Sequence, residues 1–269
     1  MTQPKLRLET AGRSVTGNVR GHNEDVVLVA PIGPRSAWLA VCDGMGGAAG
    51  GEVASAVTAN VIASAVADGV PVEVGGRVAR ALQTASEALR AMGDREPRYR
   101  GMGTTATVLA VTSELEAVIG QVGDSRAYLL RGAHFVQLTR DQTLVQLMVE
   151  KGQLRPEEAR DAPFANIVTQ AIGATEDLLV DLKRISLRSG DVLLLCSDGL
   201  SGALSDDAIE EVLRTIDEPC LACDALIELS LEAGATDNVS CIVAKITSED
   251  EPEPASSSRP RAKTLELLL

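Results

Sequence analysis

The sequence predicts an α+β fold in which a central antiparallel β-sandwich is flanked by pairs of helices. Short apolar runs with strand character occur in groups, and their connections are too short to hold a crossover helix, so consecutive strands pair antiparallel. Helical stretches fall in separate pairs, over about 50–92, 143–160 and 205–233, instead of alternating singly with strands. The chain has 269 residues, 45% of them hydrophobic and 23% charged, which is ordinary globular usage and enough to bury one large core. No internal repeat is visible.

Taken in chain order, strands are expected at Asp25 to Ala30 and Ala37 to Cys42. Val53 to Ala67 then carries no charge, is about five residues short of a bilayer span, and has small apolar side chains all round, as a helix buried against a sheet requires. The chain turns at Asp68-Gly69 and Pro71, and a second helix follows over about 73–92. Further strands are expected at Thr105 to Val111, Ala117 to Gln121, Ala127 to Arg131, Phe135 to Leu138, Leu182 to Leu187, Val192 to Cys196 and Ser240 to Ile246. Residues 1–247 thus read as one domain. From Ser248 the text turns to Ser-Glu-Asp-Glu-Pro-Glu-Pro-Ala-Ser-Ser-Ser, too polar to bury a core, so 248–269 is expected to be a flexible acidic tail ending in an apolar Leu-Leu-Leu.

Composition excludes several functions. Aromatics are 2%, which leaves no stacking platform for single-stranded nucleic acid, and 25 Lys plus Arg against 38 Asp plus Glu give a net charge of −13, the wrong sign for a phosphate backbone. No nucleic acid partner and no membrane span are expected. The five cysteines are unevenly spaced and Met1-Thr-Gln-Pro-Lys-Leu-Arg has no apolar signal core, so the cytoplasm is the expected compartment. Cys220 and Cys223 form a lone CxxC without a second pair at zinc spacing.

The acidic residues are informative by position. Apolar strands run into Asp at Trp38-Leu-Ala-Val-Cys-Asp43-Gly44 and Val192-Leu-Leu-Leu-Cys-Ser-Asp198-Gly199, and Asp237-Asn238 precedes Val239-Ser-Cys-Ile-Val. Asp124 sits in Gly123-Asp124-Ser125 between two strands, and Asn23-Glu24-Asp25 leads into another. Any one of these is an ordinary turn. Five at the ends of buried strands would gather carboxylates on one rim of the sandwich, where they repel unless hard divalent cations such as Mg2+, Mn2+ or Ca2+ fill the space between them. A two-metal site of this kind acidifies a water and holds phosphoryl oxygens, so phosphoester hydrolysis is the expected reaction. Arg20, three residues before Asn23, offers a planar guanidinium for phosphate, or else an ion pair with Glu24.

These stretches, together with Gly103-Thr-Thr-Ala106, Gln121-Val-Gly-Asp-Ser-Arg-Ala-Tyr128, Leu138-Thr-Arg-Asp141 and Thr236-Asp-Asn-Val239, resemble the bacterial type 2C protein phosphatases over about residues 8–247. Those are metal-dependent serine/threonine phosphatases. The resemblance implies a binuclear Mn2+ or Mg2+ centre at one end of the sandwich. By position, Asp43 would bridge both metals, Gly44 would offer its carbonyl to one, and Asp198 and Asp237 would complete the other. Glu24 and Asp25 would hold metal or its waters, Arg20 would bind phosphate, and Asp124 with Asp198 would hold a third metal. Residues of about 142–170 correspond to the flap near the substrate. Phosphorylated proteins, products of a serine/threonine kinase in the same cell, would be the substrates.

The sequence departs from the family at two positions. Ala48 stands where many bacterial relatives carry a His, a candidate general acid whose loss costs roughly 100- to 10,000-fold on a poor leaving group. Gln142 stands where Leu-Thr-Arg-Asp is commonly followed by His. His22 and His134 are the two that remain. One alternative is a catalytically weak or inactive phosphatase-fold module that binds phosphoproteins, although the retained acids oppose it. A dinucleotide site at Gly44-Met-Gly46-Gly47 is disfavoured, because Asp43 would face the pyrophosphate.

Overall fold

A computed structural model describes residues 6–46, 50–67, 73–159 and 162–248. The chain begins with β1 (Leu6–Val15), β2 (Val26–Gly33), β3 (Ser36–Cys42) and the two-residue β4 (Gly44–Met45), then the helices α1 (Gly50–Ala67) and α2 (Val74–Arg95). A second run of strands follows: β5 (Gly103–Thr104), β6 (Ala106–Val111), β7 (Glu116–Val122), β8 (Arg126–Arg131) and β9 (His134–Gln137). After α3 (Leu144–Glu150) and α4 (Pro156–Ala159) come β10 (Asp181–Ser186) and β11 (Val192–Cys196). The helices α5 (Asp198–Ser201), α6 (Asp206–Thr215) and α7 (Pro219–Glu232) precede β12 (Val239–Ser248).

Two five-stranded sheets face each other, in the orders β1-β12-β11-β8-β9 and β10-β7-β6-β3-β2, and every ladder in them is antiparallel. The expected sandwich is present. Strand alternation explains why these runs look apolar throughout. Leu193 and Leu195 point into the core between the sheets, while Val192, Leu194 and Cys196 point outward under α5, α6 and α7. In β3, Leu39 and Val41 point between the sheets, and Trp38, Ala40 and Cys42 lie beneath α1 and α2. Three apolar layers therefore stack, with α1–α2 on one outer face and α5–α7 on the other.

Three differences from expectation have physical reasons. β1 is an edge strand whose residues all keep partial exposure, so Leu6-Arg-Leu-Glu-Thr gives only a faint alternation, yet it pairs with β12 from Leu6↔Ser248 to Val15↔Val239. α1 begins at Gly50, three residues before the uncharged run, and its first turn packs so closely that a Cβ on Gly51 would lie 2.8 Å from both Glu24 Oε2 and the Gly44 carbonyl carbon. α3 and α4 are short and lie beside the acidic end of the sandwich instead of covering a sheet face. The strand β12 runs through Ser248, one residue beyond the expected domain boundary, and the remainder of the expected tail lies outside the described residues. Among the described residues, no helix is long and apolar enough to cross a membrane.

Candidate metal centre

Antiparallel register brings the expected acidic residues to one end of the sandwich. Val26, the first residue of β2, pairs with Cys42, the last of β3, while Cys196 at the end of β11 pairs with Arg126 of β8 and Cys241 of β12. The residues immediately beyond these pairs share that end. Arg20, Glu24, Asp43, Gly44, Asp124, Asp198 and Asp237 all line one cavity of about 460 Å3. Asp25 lies among them in the interior, 6% exposed. Asp124, Asp198 and Asp237 also border a groove of about 670 Å3 that passes α3, α4 and α6.

Each carboxylate is placed by its backbone. The Asp43 carbonyl accepts from the Thr104 hydroxyl at 2.8 Å and from Thr105 N–H at 2.9 Å, and Asp43 N–H donates to Thr105 Oγ1 at 3.2 Å. Asp198 and Asp237 converge because the turns that carry them touch. A Cβ on Gly199 would sit 1.9 Å from the Asn238 carbonyl oxygen, so only glycine fits. Gly199→Ala is expected to cost about 3 kcal/mol or more, since backbone must move where overpacking meets no flexible side chain. A thermal or urea unfolding midpoint checks this, and an unchanged midpoint would contradict it.

Asn238 is a residue whose site role was missed in the sequence. Its Oδ1 accepts from Glu24 N–H at 2.8 Å, and its Nδ2 donates to the carbonyls of Thr16 at 2.8 Å and His22 at 2.9 Å. It pins the loop carrying Arg20 and Glu24 beside Asp237. The available signal was Asn directly after an Asp at a strand start, which reads equally well as a turn. Gln142, expected in a family His position, does not line the cavity. It is buried and holds Gly123 instead. The position of Ala48 lies outside the described residues.

Electrostatics mark the cavity as incomplete on its own. Burial, then repulsion from Asp25, Asp198 and Asp124, pushes the Asp43 carboxyl well above the usual carboxylate range. Burial and the charge of Asp198 raise Asp124 to about 8, and burial raises Asp25 to about 6 despite help from the Ser240 and Ser197 hydroxyls. Asp198 is raised by burial and by Asp237. Arg20 donates to Asp237 at 2.7 Å, which is the ion pair formed in place of the Glu24 alternative. Its guanidinium is half exposed and stands at the cavity rim.

The donor set suits hard cations. It is all oxygen, and the buried Oδ2 of Asp25 and Oδ1 of Asp198 have no hydrogen-bond partner, although a buried unsatisfied acceptor is costly. Among the described residues, no three acidic, His or Cys side chains are already drawn together as a finished cage. Burial raises Glu24 as well, so ions at this end would compensate five raised carboxyls at once.

Two facing antiparallel sheets thus carry an acidic cavity at one end. A family model described as "Protein phosphatase 2C" matches residues 20–229. The chain belongs to the protein phosphatase 2C family. It is 38% identical over 250 residues to the serine/threonine protein phosphatase PstP of Mycobacterium tuberculosis (strain H37Rv), covering 93% of this chain and 47% of that protein. The chain therefore spans about half the length of the PstP relatives it matches. It is 35% identical over 238 residues to the protein phosphatase PhpP of Streptococcus pneumoniae, covering 87% of this chain and 96% of that one. Among solved structures, the PstP catalytic domain in complex with two manganese ions matches with a TM-score of 0.81 and 37% identity, covering 90% of this chain and 100% of the other.

Proposed function

We propose that this chain is a protein phosphatase that hydrolyses phosphoserine and phosphothreonine with Mn2+ or Mg2+ as cofactor. The observation that carries this is the gathering of six carboxylates from five separate strand ends, Glu24, Asp25, Asp43, Asp124, Asp198 and Asp237, with orphaned buried oxygens among them. Asp43, Asp198 and Asp237, with the Gly44 carbonyl, would hold a pair of cations. Glu24 and Asp25 would hold metal or its waters, and Asp124 with Asp198 a third ion. Bound there, hard divalent cations supply an acidified water and an electrophilic clamp for phosphoryl oxygens. The PstP catalytic domain, which carries two manganese ions, supports this reading.

Arg20 binds and orients the phosphate. Its planar fork matches phosphate oxygens, and it is tethered at the rim by Asp237 until substrate competes for it. The Thr104 and Thr105 hydroxyls fix the Asp43 backbone from which the carboxylate projects, and Asn238 holds the loop of Glu24 and Arg20 beside it. The catalytic domain extends through β12 to Ser248. Substrates are phosphorylated proteins made by a serine/threonine kinase of the same cell, and the compartment is the cytoplasm.

The decisive experiment follows a phosphothreonine peptide with Mn2+ present and then with excess chelator. Release of phosphate in Mn2+ that stops on chelation is expected. Hydrolysis indifferent to chelator would remove the metal from the account. Peptide binding with no phosphate release in Mn2+ would favour the phosphoprotein-binding module instead.

A further inference from the structure

Asp124 owes its position to the residue before it, and that residue is gripped from two sides. Gly123 has φ +95°, a conformation open to glycine, and a Cβ there would strike Thr105 Cγ2 at 2.6 Å. Its carbonyl accepts from Gln121 Nε2 at 2.8 Å and from the Gln142 backbone N–H at 3.0 Å. Its own N–H donates to Gln142 Oε1 at 2.7 Å. Both glutamines are buried, at 2% and 5% exposure.

Gln142 reaches further than Gln121. Its Nε2 donates to Asp181 Oδ2 at 3.1 Å, at the start of β10, and makes a longer contact of 3.4 Å with the Leu179 carbonyl. Its backbone carbonyl accepts from Thr169 N–H at 2.7 Å and Thr169 Oγ1 at 2.9 Å. One side chain thus accepts from the turn that carries Asp124 and donates to the segment that returns from residues 142–170 into β10. A side-chain amide suits this task, because it offers an acceptor and donors together and keeps both at every pH.

We infer that Gln142 is a positioning residue for Asp124: by holding the Gly123 peptide against Asp181 and Thr169, it sets where the Asp124 carboxylate stands for a cation. This rests on the proposed reading of Asp124 as a metal ligand. Groups that orient a ligand typically change metal affinity by about 10- to 100-fold when removed. A His at this position has one ring nitrogen to accept from Gly123 and one N–H to donate to Asp181, so it would replace the grip in its neutral form.

The test uses the full chain and Mn2+ alone as probe, counting bound ions by loss of the free-Mn2+ electron paramagnetic resonance signal at pH 8. Wild type, Asp124→Asn, Gln142→Met, Gln142→Asn and Gln142→His are compared. Asp124→Asn is expected to remove one weaker binding step. Gln142→Met, of nearly the same shape, is expected to weaken that same step about 10- to 100-fold and leave the tighter steps within about twofold. Gln142→His is expected to restore it to within about threefold of wild type. If the Met variant lacks a cooperative melt, Gln142→Asn, which keeps the amide but is too short for both contacts, decides in its place. Unchanged binding in the folded variant, or equal weakening of every step without rescue by His, would overturn the inference. Should Asp124→Asn leave every step intact, the ligand reading of Asp124 fails first and carries this inference down with it, a pattern distinct from failure at Gln142 alone.

Discussion

Asp43→Asn is expected to lower kcat/KM on a phosphothreonine peptide by about 1,000-fold or more in Mn2+, while making the metal-free protein more stable. Both effects have one origin. Burial and the charges of Asp25, Asp198 and Asp124 push the Asp43 carboxyl strongly toward the neutral form. An amide of the same shape removes the repulsion but cannot bind a hard cation in the carboxylate's place. Loss of several kcal/mol of charge stabilisation in the transition state corresponds to three or more decades in rate. The stability gain is expected to show as a rise in melting temperature with chelator present. The two readouts should move in opposite directions. A variant that is both inactive and less stable would mean that Asp43 serves chiefly to hold the fold.

In chelator, the wild-type protein is expected to lose stability as pH rises from 5 to 8. Asp25 is raised from an ordinary 3.8 to about 6 and Asp124 to about 8. Between the unfolded and folded values the native state holds more protons than the unfolded chain. Stability therefore falls with rising pH in that window, and the full penalty is present above the folded value. For Asp25 the window runs from about pH 4 to 6, and for Asp124 from about 4 to 8. The rise at Asp25 from 3.8 to about 6 corresponds to about 3 kcal/mol in all, of which about 1.4 kcal/mol falls above pH 5. Asp124 adds to it. Saturating Mn2+ is expected to reverse the trend, because ionised carboxylates bind it more tightly and a ligand at 100 times its Kd stabilises by about 2.7 kcal/mol. Melting temperatures at pH 5, 6, 7 and 8, with chelator and with Mn2+, test the sign. A flat or rising profile in chelator would contradict it.

Much of this was legible because the signals were strong where the physics is strict. Buried strands such as Val192–Cys196 must be apolar on both faces, so they stood out, and the Asp at their ends could be read as one rim once antiparallel pairing was assumed. The exposed edge strand β1 was not legible, since partial burial on both faces leaves little pattern. Arg20 illustrates a different limit. Its spacing suggested Glu24 as partner, yet the chain path places Asp237, 217 residues away, at 2.7 Å. Asn238 and Gln142 work through side-chain amides bonded to distant backbone, and no local pattern distinguishes such a residue from a turn former or a conservative replacement. What was readable was the rim at which the acids gather. The amides that join it to distant backbone required three dimensions.

The central claim is that acids from distant stretches enclose a pair of hard cations. Crystals of the full chain grown with Mn2+, with anomalous difference maps recorded at the manganese edge, test it most directly. Two strong peaks are predicted, flanking the Asp43 carboxylate, with Asp198 and Asp237 on one of them, and a weaker third peak is predicted beside Asp124 and Asp198. A map with no peak at Asp43, or with manganese elsewhere on the molecule, would contradict the account.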